Sequence, residues 1–306
     1  MGPKFMSPRY LSVLLLLMAI LGPLDACAQQ TEASAEKTVI DASRQATVRI
    51  VSGNINGGTG SVVPLGSGFF VSSQYVVTCF HVVTKSLDID PKQKKCGWSP
   101  VANLAVLYAN REIIKATCIS VPTLQDISPV QYDFAVLRLE HPPKAKITVL
   151  PLAPPDTEYA VGEEVFFSGY PLDAKWLLTF KGMIAGFYPL QKLIALQAPI
   201  NKGSSGSALL NTKGEVIGII SRREGGITEK LDEIKKKIIE AVKPGQETTI
   251  MFGGIDALDS IKETVEVLNR NISTGIGYAH WSGGLSQYLS KHNLLEAALL
   301  KDPAPG

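Results

Sequence analysis

The chain has 306 residues, of which 45% are hydrophobic and 19% are charged, and its formal net charge is only +2. This composition is typical of a packed globular protein and argues against a disordered chain. The small net charge gives no sign of the basic surface that nucleic acids bind, so we expect no nucleic-acid partner.

Residues 1–28 are predicted to be an export signal. Lys4 and Arg9 precede the apolar stretch "LSVLLLLMAILGPL", and the small residues of "DACAQQ" follow it. This stretch is shorter than the roughly 20 apolar residues that a membrane-spanning helix needs. We therefore expect an exported protein, periplasmic or secreted, in which residues 29–40 form a polar tether.

The cleavage site of this signal has two interpretations. Ala26-Cys27-Ala28 suits an ordinary signal peptidase that cuts before Gln29, whereas "LDAC" resembles a bacterial lipobox in which Cys27 becomes lipidated. Asp25 is a poor lipobox residue. Ordinary cleavage is therefore favoured, and a lipid anchor at Cys27 remains the alternative.

From residue 41 to residue 221, short β-type runs alternate with turn signals, and residues 41–51 are expected to form the first strand. The runs are "ATVRIV", "GSGFFVS", "YVVTCF", "LAVLYA", "FAVLRLE", "EVFFSGY", "WLLTFKGMIAGF", "LIALQA" and "EVIGIIS". Many short strands separated by Gly, Pro and Asn predict an all-β barrel or sandwich, in which the loops carry the functional residues.

Three strand edges carry residues with catalytic potential. His81 follows the run "YVVTCF", Asp133 opens "DFAVLRLE", and Ser205 lies in the loop "NKGSSGSALLN" at 201–211. Each of these alone is more often a core, turn or linker residue. Their combination, in the chain order His, Asp, Ser, matches one known order of the catalytic triad.

At these segments the sequence resembles the chymotrypsin-like (trypsin-like) serine proteases, and most closely their bacterial HtrA (Deg) branch. "GSGFFVSSQYVVTCFHVV" resembles the strands that lead to the family's catalytic His, "YDFAVLRL" resembles its Asp strand, and "APINKGSSGSALLNTKGEVIGIIS" resembles its nucleophile loop. The resemblance implies an all-β fold, a chymotrypsin-like double β-barrel over residues 41–296 with a C-terminal helix. Residues 297–306 are a tail, and no PDZ domain is expected.

The resemblance also implies a role for each residue of the triad. His81 takes the proton of Ser205, Asp133 holds the imidazole, and the backbone N–H groups of Gly203 and Ser205 form the oxyanion hole. The implied function is a serine endopeptidase that cleaves exported or misfolded proteins through an acyl-enzyme. The alternative is a catalytically latent binding protein on the same fold.

The nucleophile loop departs from the family pattern. The family's Gly-Pro after the nucleophile's glycine is replaced here by Ser207-Ala208. Ser204 and Ser207 are hydroxyls in the same loop, so the assignment of Ser205 rests on the register of the resemblance. We expect Ser205 alone to be essential.

Substrate binding is predicted from two segments. Ile219, Ile220 and Ser221 match the edge to which a substrate adds as an extra strand. Pro199 occupies the position at which trypsin-like enzymes carry Asp. A preference for Lys or Arg is therefore not expected, and a small or medium apolar side chain is favoured.

Residues 222–272 form an insertion relative to the family. Apolar residues recur in it at helical spacing, at positions 227, 231, 234, 238 and 242 and again at 258, 261, 265 and 268. The pattern predicts two amphipathic helices, the second starting near Asp256. Two roles remain open for them: a packing elaboration, or a lid or partner surface beside the substrate pocket.

We expect different roles for the three cysteines outside the signal. Cys79 lies in an apolar run and is predicted to be a buried small residue. Cys96 and Cys118 either pair in an oxidising compartment or remain as two thiols. No spacing of His, Cys or Asp indicates a metal site, and no cofactor is expected.

Overall fold

The computed structural model describes the greater part of the chain. It covers residues 33–54, 61–90, 95–108, 112–120, 133–171, 174–223, 233–234, 236–237, 251–252, 255–271 and 275–294. Within these ranges, no helix combines the length and the apolar character needed to cross a membrane. The predicted signal, the cleavage site and the tail lie outside the described residues.

The first barrel is built from strands of the N-terminal half. The described strands are β1 (Thr47–Gly53), β2 (Val62–Phe70), β3 (Tyr75–Thr78), β4 (Thr84–Asp90), β5 (Lys95–Pro100), β6 (Leu104–Tyr108), β7 (Glu112–Ser120) and β8 (Ala135–Leu139). Six of them close a barrel in the order β1-β2-β3-β8-β7-β6, while β4 and β5 form a separate hairpin. Phe70 and Tyr108 meet edge to face inside the barrel, with ring centroids 5.2 Å apart.

The second barrel repeats this architecture. Its strands are β9 (Glu164–Gly169), β10 (Leu178–Tyr188), β11 (Leu193–Gln197), β12 (Ala208–Leu210), β13 (Val216–Arg223) and β16 (Ile276–Trp281). They close in the order β10-β11-β16-β13-β12-β9 around a core that includes Phe167, Leu196 and Ile217. The predicted double β-barrel is confirmed.

The predicted N-terminal boundaries are wrong. Residues 33–46 form a helix, α1, so that most of the expected tether is helical and β1 begins at Thr47 rather than at residue 41. Val39, Ser43 and Ala46 are buried. Their spacing of four and three residues places them on one face of the helix, which explains why the segment coils rather than extends.

Helix α1 precedes a strand of the first barrel but binds the second. Ser43 Oγ donates to Ser168 Oγ on β9 at 2.8 Å, and Arg44 Nη1 donates to Thr179 Oγ1 on β10 at 2.9 Å. Lys181 on β10 adds an ion pair to Glu36 at 3.1 Å. Helix α1 therefore ties the two barrels together.

Three further helices have described bounds. They are α2 (Phe80–Val83), α3 (Ala257–Asn271) and α4 (Gly283–Lys291). Helix α4 follows the last strand of the second barrel, yet Leu285 and Leu289 join the buried cluster of the first. Tyr288 also meets Phe134 edge to face, with centroids 5.5 Å apart. The predicted C-terminal helix thus packs on the opposite barrel.

The insertion is described in part. Helix α3 confirms the second predicted helix, and it is preceded by a hairpin of β14 (Met251–Phe252) and β15 (Ile255–Asp256) that was not predicted. The first predicted helix lies largely outside the described residues, although residues 233–234 and 236–237 are helical. On α3 Val265 is buried, whereas Ile261 and Leu268 are exposed. The apolar stripe of α3 is therefore only partly covered.

Candidate active site

Strand pairing brings His81 and Asp133 together. Strands β3 and β8 are antiparallel neighbours, and Thr78 at the end of β3 pairs with Ala135 at the start of β8. His81 follows β3 on the single turn of α2, and Asp133 lies two residues before the start of β8. The two side chains therefore leave the same end of the barrel, at its contact with the second one.

Asp133 holds His81 by two hydrogen bonds. Asp133 Oδ2 lies 2.6 Å from His81 Nδ1, and Asp133 Oδ1 accepts the backbone N–H of His81 at 3.1 Å. Because an ionised carboxylate only accepts, the proton of the neutral imidazole lies on Nδ1. His81 Nε2 is then left as a free base, and the His81 side chain is 46% exposed.

The Asp133 carboxylate is buried but remains ionised. Burial alone would raise its pKa, but the hydrogen bond and charge of His81 and the hydrogen bond from Ser221 outweigh that effect and hold the pKa below its ordinary value. Ser221 Oγ donates to Asp133 Oδ2 at 2.6 Å. Asp133 is thus fixed as an anion by three donors.

This lowered pKa predicts an acid-sensitive contribution to stability. A carboxyl whose pKa is lower in the folded protein than its ordinary value of about 3.9 stabilises the fold above that value and loses the effect as the pH falls through the folded pKa. We expect wild type to melt above Asp133→Asn near pH 7, and the difference to shrink below about pH 4. Thermal melts of both proteins across this range measure it, and a constant difference would contradict the assignment.

The nucleophile loop between β11 and β12 is fixed by its backbone. Gly203 and Gly206 have φ values of +96° and +91°. A Cβ on Gly203 would collide with the carbonyl oxygen of Tyr170. The N–H of Gly206 donates to Ile220 O at 2.7 Å, and that of Ser204 donates to Asn201 O at 2.9 Å. The glycines therefore serve a defined loop shape rather than flexibility.

The predicted oxyanion donors lie within this fixed loop. In the described part of the chain, the N–H groups of Gly203 and Ser205 donate to no backbone acceptor, whereas those of Ser204, Gly206 and Ser207 do. Two unpaired amides in a fixed loop are what stabilisation of a developing oxyanion requires.

The three serines of the loop differ in exposure. Ser204 and Ser207 are fully buried, and neither hydroxyl has a hydrogen-bond partner among the described residues. Ser205 is partly exposed. Of these three hydroxyls, only that of Ser205 lies where a substrate can reach it.

The Ser205 hydroxyl joins the His81–Asp133 pair through Ser221 rather than directly. Ser205 Oγ donates to the carbonyl oxygen of Ser221 at 2.7 Å, and Ser221 Oγ binds Asp133. No hydrogen bond links Ser205 to His81 in the described structure. Such contacts commonly tighten only when a substrate binds.

The predicted substrate edge is wrong for two of its three residues. Ile219 pairs with Ala208 on one side and with His280 on the other, so it lies inside the sheet. Ile220 donates its N–H to Ser207 O at 2.9 Å and accepts from Gly206. Neither has a backbone group left for a substrate strand. Ser221, the third, supports Asp133, a role that the sequence did not indicate.

Cys79 lies directly beneath the pair. It is fully buried, as predicted, and Sγ donates to Ile220 O at 3.1 Å. Cys79 Sγ, a ring nitrogen of His81 and a carboxylate oxygen of Asp133 lie within 4.8 Å of one another. Burial, and then the neighbouring carboxylate, raises the pKa of the thiol well above its ordinary value. In the structure Cys79 Sγ donates to Ile220 O, and His81 Nδ1 is bound to Asp133.

Sequence comparison agrees with the class that the fold and these side chains define, the chymotrypsin-like peptidases. Residues 66–219, half of the chain, match the family described as a trypsin-like peptidase domain. The chain therefore belongs to the trypsin-like peptidase family. The matched range includes His81, Asp133 and the nucleophile loop.

Two curated proteins are similar to the chain. Protease Do-like 1, chloroplastic, of Arabidopsis thaliana is 30% identical over 165 residues, which are 50% of this chain and 32% of that protein. An uncharacterized protein of Sinorhizobium fredii is 28% identical over 182 residues, 57% of this chain and 23% of that protein. The chain thus spans a third or less of each relative, and the first similarity agrees with the resemblance to the HtrA branch.

Solved protease structures are also similar. A serine endoprotease from Yersinia pestis has a TM-score of 0.48 and 19% identity, with 87% of this chain and 67% of that chain covered. A protease from M. tuberculosis, solved in its active form, has the same TM-score and identity, with 83% of each chain covered.

Proposed function

We propose that the protein is a serine endopeptidase in which Ser205 is the nucleophile, His81 the general base and Asp133 the residue that orients the base. The observation that carries this proposal is the 2.6 Å contact between His81 Nδ1 and Asp133 Oδ2, made beside a loop whose accessible hydroxyl belongs to Ser205. Membership of a peptidase family supports the same reaction class.

The chemistry follows from these positions. His81 Nε2 removes the proton of Ser205 Oγ as this oxygen attacks the scissile carbonyl, and the N–H groups of Gly203 and Ser205 bind the oxyanion that forms. His81 then gives the proton to the leaving amine, and the acyl-enzyme remains. Asp133 stays ionised and stabilises the imidazolium. Water then attacks the acyl ester with His81 again as the base, and the second product is released.

The first step requires the Ser205 side chain to turn. Its hydroxyl now donates to Ser221 O and must rotate about χ1 to reach His81. Rotation between staggered positions moves a side-chain oxygen by a few ångströms without a change in the backbone. The loop glycines can therefore keep the two amides in place while the hydroxyl moves.

Fluorophosphonate labelling tests the assignment of the nucleophile. We expect peptide mapping of the labelled wild-type protein to place the adduct on Ser205. Ser204→Ala and Ser207→Ala, which remove buried hydroxyls from the same loop, are matched controls and should still be labelled. An adduct on Ser204, or labelling that survives Ser205→Ala, would contradict the assignment of Ser205 as the nucleophile.

A latent protease-fold binding protein is the second candidate. The hydrogen bond from Ser205 to Ser221 O favours it, because a serine held in this position has no base. A folded sample that fluorophosphonate does not label at any pH between 6 and 9 would support latency. The helical insertion at 222–272 would then be the candidate partner surface.

The proposed substrates are exported or misfolded polypeptides, with a small or medium apolar side chain before the scissile bond. Two features support this proposal: the predicted export signal at 1–28, and Pro199 at the position where trypsin-like enzymes carry Asp. Sequencing of the mature N-terminus distinguishes cleavage before Gln29 from lipidation at Cys27. Cleavage-site mapping on unfolded casein tests the side-chain preference.

A further inference from the structure

Ser67 on β2 contacts the nucleophile loop at two points. Its backbone N–H donates to the carbonyl oxygen of Ser205 at 2.8 Å, and its hydroxyl donates to the carbonyl oxygen of Gly203 at 2.7 Å. These are the two residues whose N–H groups are the proposed oxyanion donors. One residue of the first barrel therefore holds both donor residues of the second barrel by their carbonyls.

Ser67 is itself held in place. Its hydroxyl accepts the backbone N–H of Tyr170 at 3.0 Å, and its carbonyl accepts Thr78 Oγ1 at 2.6 Å. Its side chain is fully buried, and its backbone on β2 pairs with that of Arg49 on β1. The hydroxyl thus both donates and accepts, which fixes its rotamer and the direction in which it donates.

We propose that Ser67 is a positioning residue for the oxyanion hole, acting through the carbonyls of Gly203 and Ser205 without touching the substrate. This inference rests on the proposed protease function. Gly203 has no Cβ to restrict its backbone, and loss of the Ser67 hydroxyl leaves its carbonyl without that donor. This carbonyl belongs to the Gly203–Ser204 peptide, which lies between the two peptides that carry the N–H groups of Gly203 and Ser205. When that middle peptide is held less firmly, the two N–H groups keep the orientation that an oxyanion needs less often.

Ser67→Ala tests this proposal, because it deletes the hydroxyl and keeps the backbone N–H. We expect the rate constant of fluorophosphonate labelling, and kcat on unfolded casein, to fall about 10- to 100-fold, since small misplacements of a catalytic group have effects of that size. KM should change little. The pH midpoint of labelling should not move, because His81 and Asp133 are untouched.

Ser282→Ala is the matched control. Ser282 is also buried, and its hydroxyl donates to a backbone carbonyl, that of Val216, at 3.0 Å. Both variants lose a buried hydroxyl-to-carbonyl bond, and Ser67→Ala also loses the bond from the Tyr170 N–H. Both should melt below wild type, with Ser67→Ala the lower of the two, but only Ser67→Ala should be labelled more slowly. If Ser67→Ala does not fold, Ser67→Cys, with a weaker donor, replaces it and should also be labelled more slowly.

The outcomes separate the two proposals. Wild type that is not labelled contradicts the protease function itself. Labelled wild type together with a Ser67 variant that reacts at the wild-type rate, or equally slow labelling of Ser282→Ala, overturns the positioning role and leaves the protease function intact. A shifted pH midpoint in Ser67→Ala would also overturn it, because the effect would then pass through His81.

Discussion

Replacing Asp133 by Asn should lower kcat on unfolded casein about 10⁴-fold near neutral pH while the protein stays folded. The Asn side chain has nearly the same shape, so its oxygen can still accept the backbone N–H of His81. Its NH2 group takes the place of Oδ2 and donates to Ser221 Oγ instead of accepting from it. Its amide can donate to Nδ1, which moves the imidazole proton to Nε2. The base then has no lone pair facing Ser205, and the imidazolium loses its counter-charge.

The control for this variant is Asp41→Asn, at an exposed carboxylate on α1. Like Asp133→Asn, it removes one negative charge, but at the surface, and it should leave kcat unchanged. The reaction rate of Asp133→Asn should recover in part at high pH, where hydroxide can take the proton of Ser205 in place of His81. A rate at pH 7 within tenfold of wild type would exclude Asp133 from the proposed role.

Gly206→Ala should be the most damaging single-methyl change in the nucleophile loop. Gly206 has a φ of +91°, and a Cβ there would collide with the carbonyl oxygen of Ser67 and with Thr78 Oγ1. These two atoms are hydrogen-bonded to each other at 2.6 Å, so neither can move alone. Backbone strain and overpacking together should cost about 3 kcal/mol or more in the free energy of unfolding.

Urea unfolding of Gly206→Ala measures this cost, and Gly186→Ala provides the comparison. Gly186 lies on β10, and a Cβ added there meets no atom within 4 Å. Its substitution should change the free energy of unfolding by about 0.5–1 kcal/mol at most. We also expect fluorophosphonate labelling to be lost in Gly206→Ala and kept in Gly186→Ala. Equal stability of the two variants would contradict the packing argument.

Nine of the twelve barrel strands could be predicted because their signals are local, whereas the proposed triad rests on the chain order His, Asp, Ser and on the resemblance. Each run of apolar β-formers became a strand, and His81 and Asp133 adjoin two of these runs. Strand β7 was missed because "EIIKATCIS" mixes Lys115 and Thr117 with its apolar residues. Helix α1 was missed because its buried face contains Ser43 and Ala46, which look polar or neutral in a sequence.

The supporting residues could not be predicted because their partners lie on distant segments. Ser221 lies in the apolar strand β13, which resembles a substrate edge, and only the closed barrel shows its hydroxyl against Asp133. Ser67 likewise reads as part of a Gly-rich strand start. A buried hydroxyl in an apolar strand is the one signal that marks both, since such groups need partners.

The two terminal helices cross over between the barrels, and this limits how far the two barrels can move apart. Helix α1 leads into the first barrel but binds β9 and β10, while α4 leaves the second barrel and packs beside Phe134. Hinge opening of the barrels would have to break both attachments at once, so a rigid-body opening motion is resisted from both ends of the described chain. The proposed turn of Ser205 from Ser221 O toward His81 would therefore need only torsion within one loop, on the fast timescale of side chains rather than that of domains.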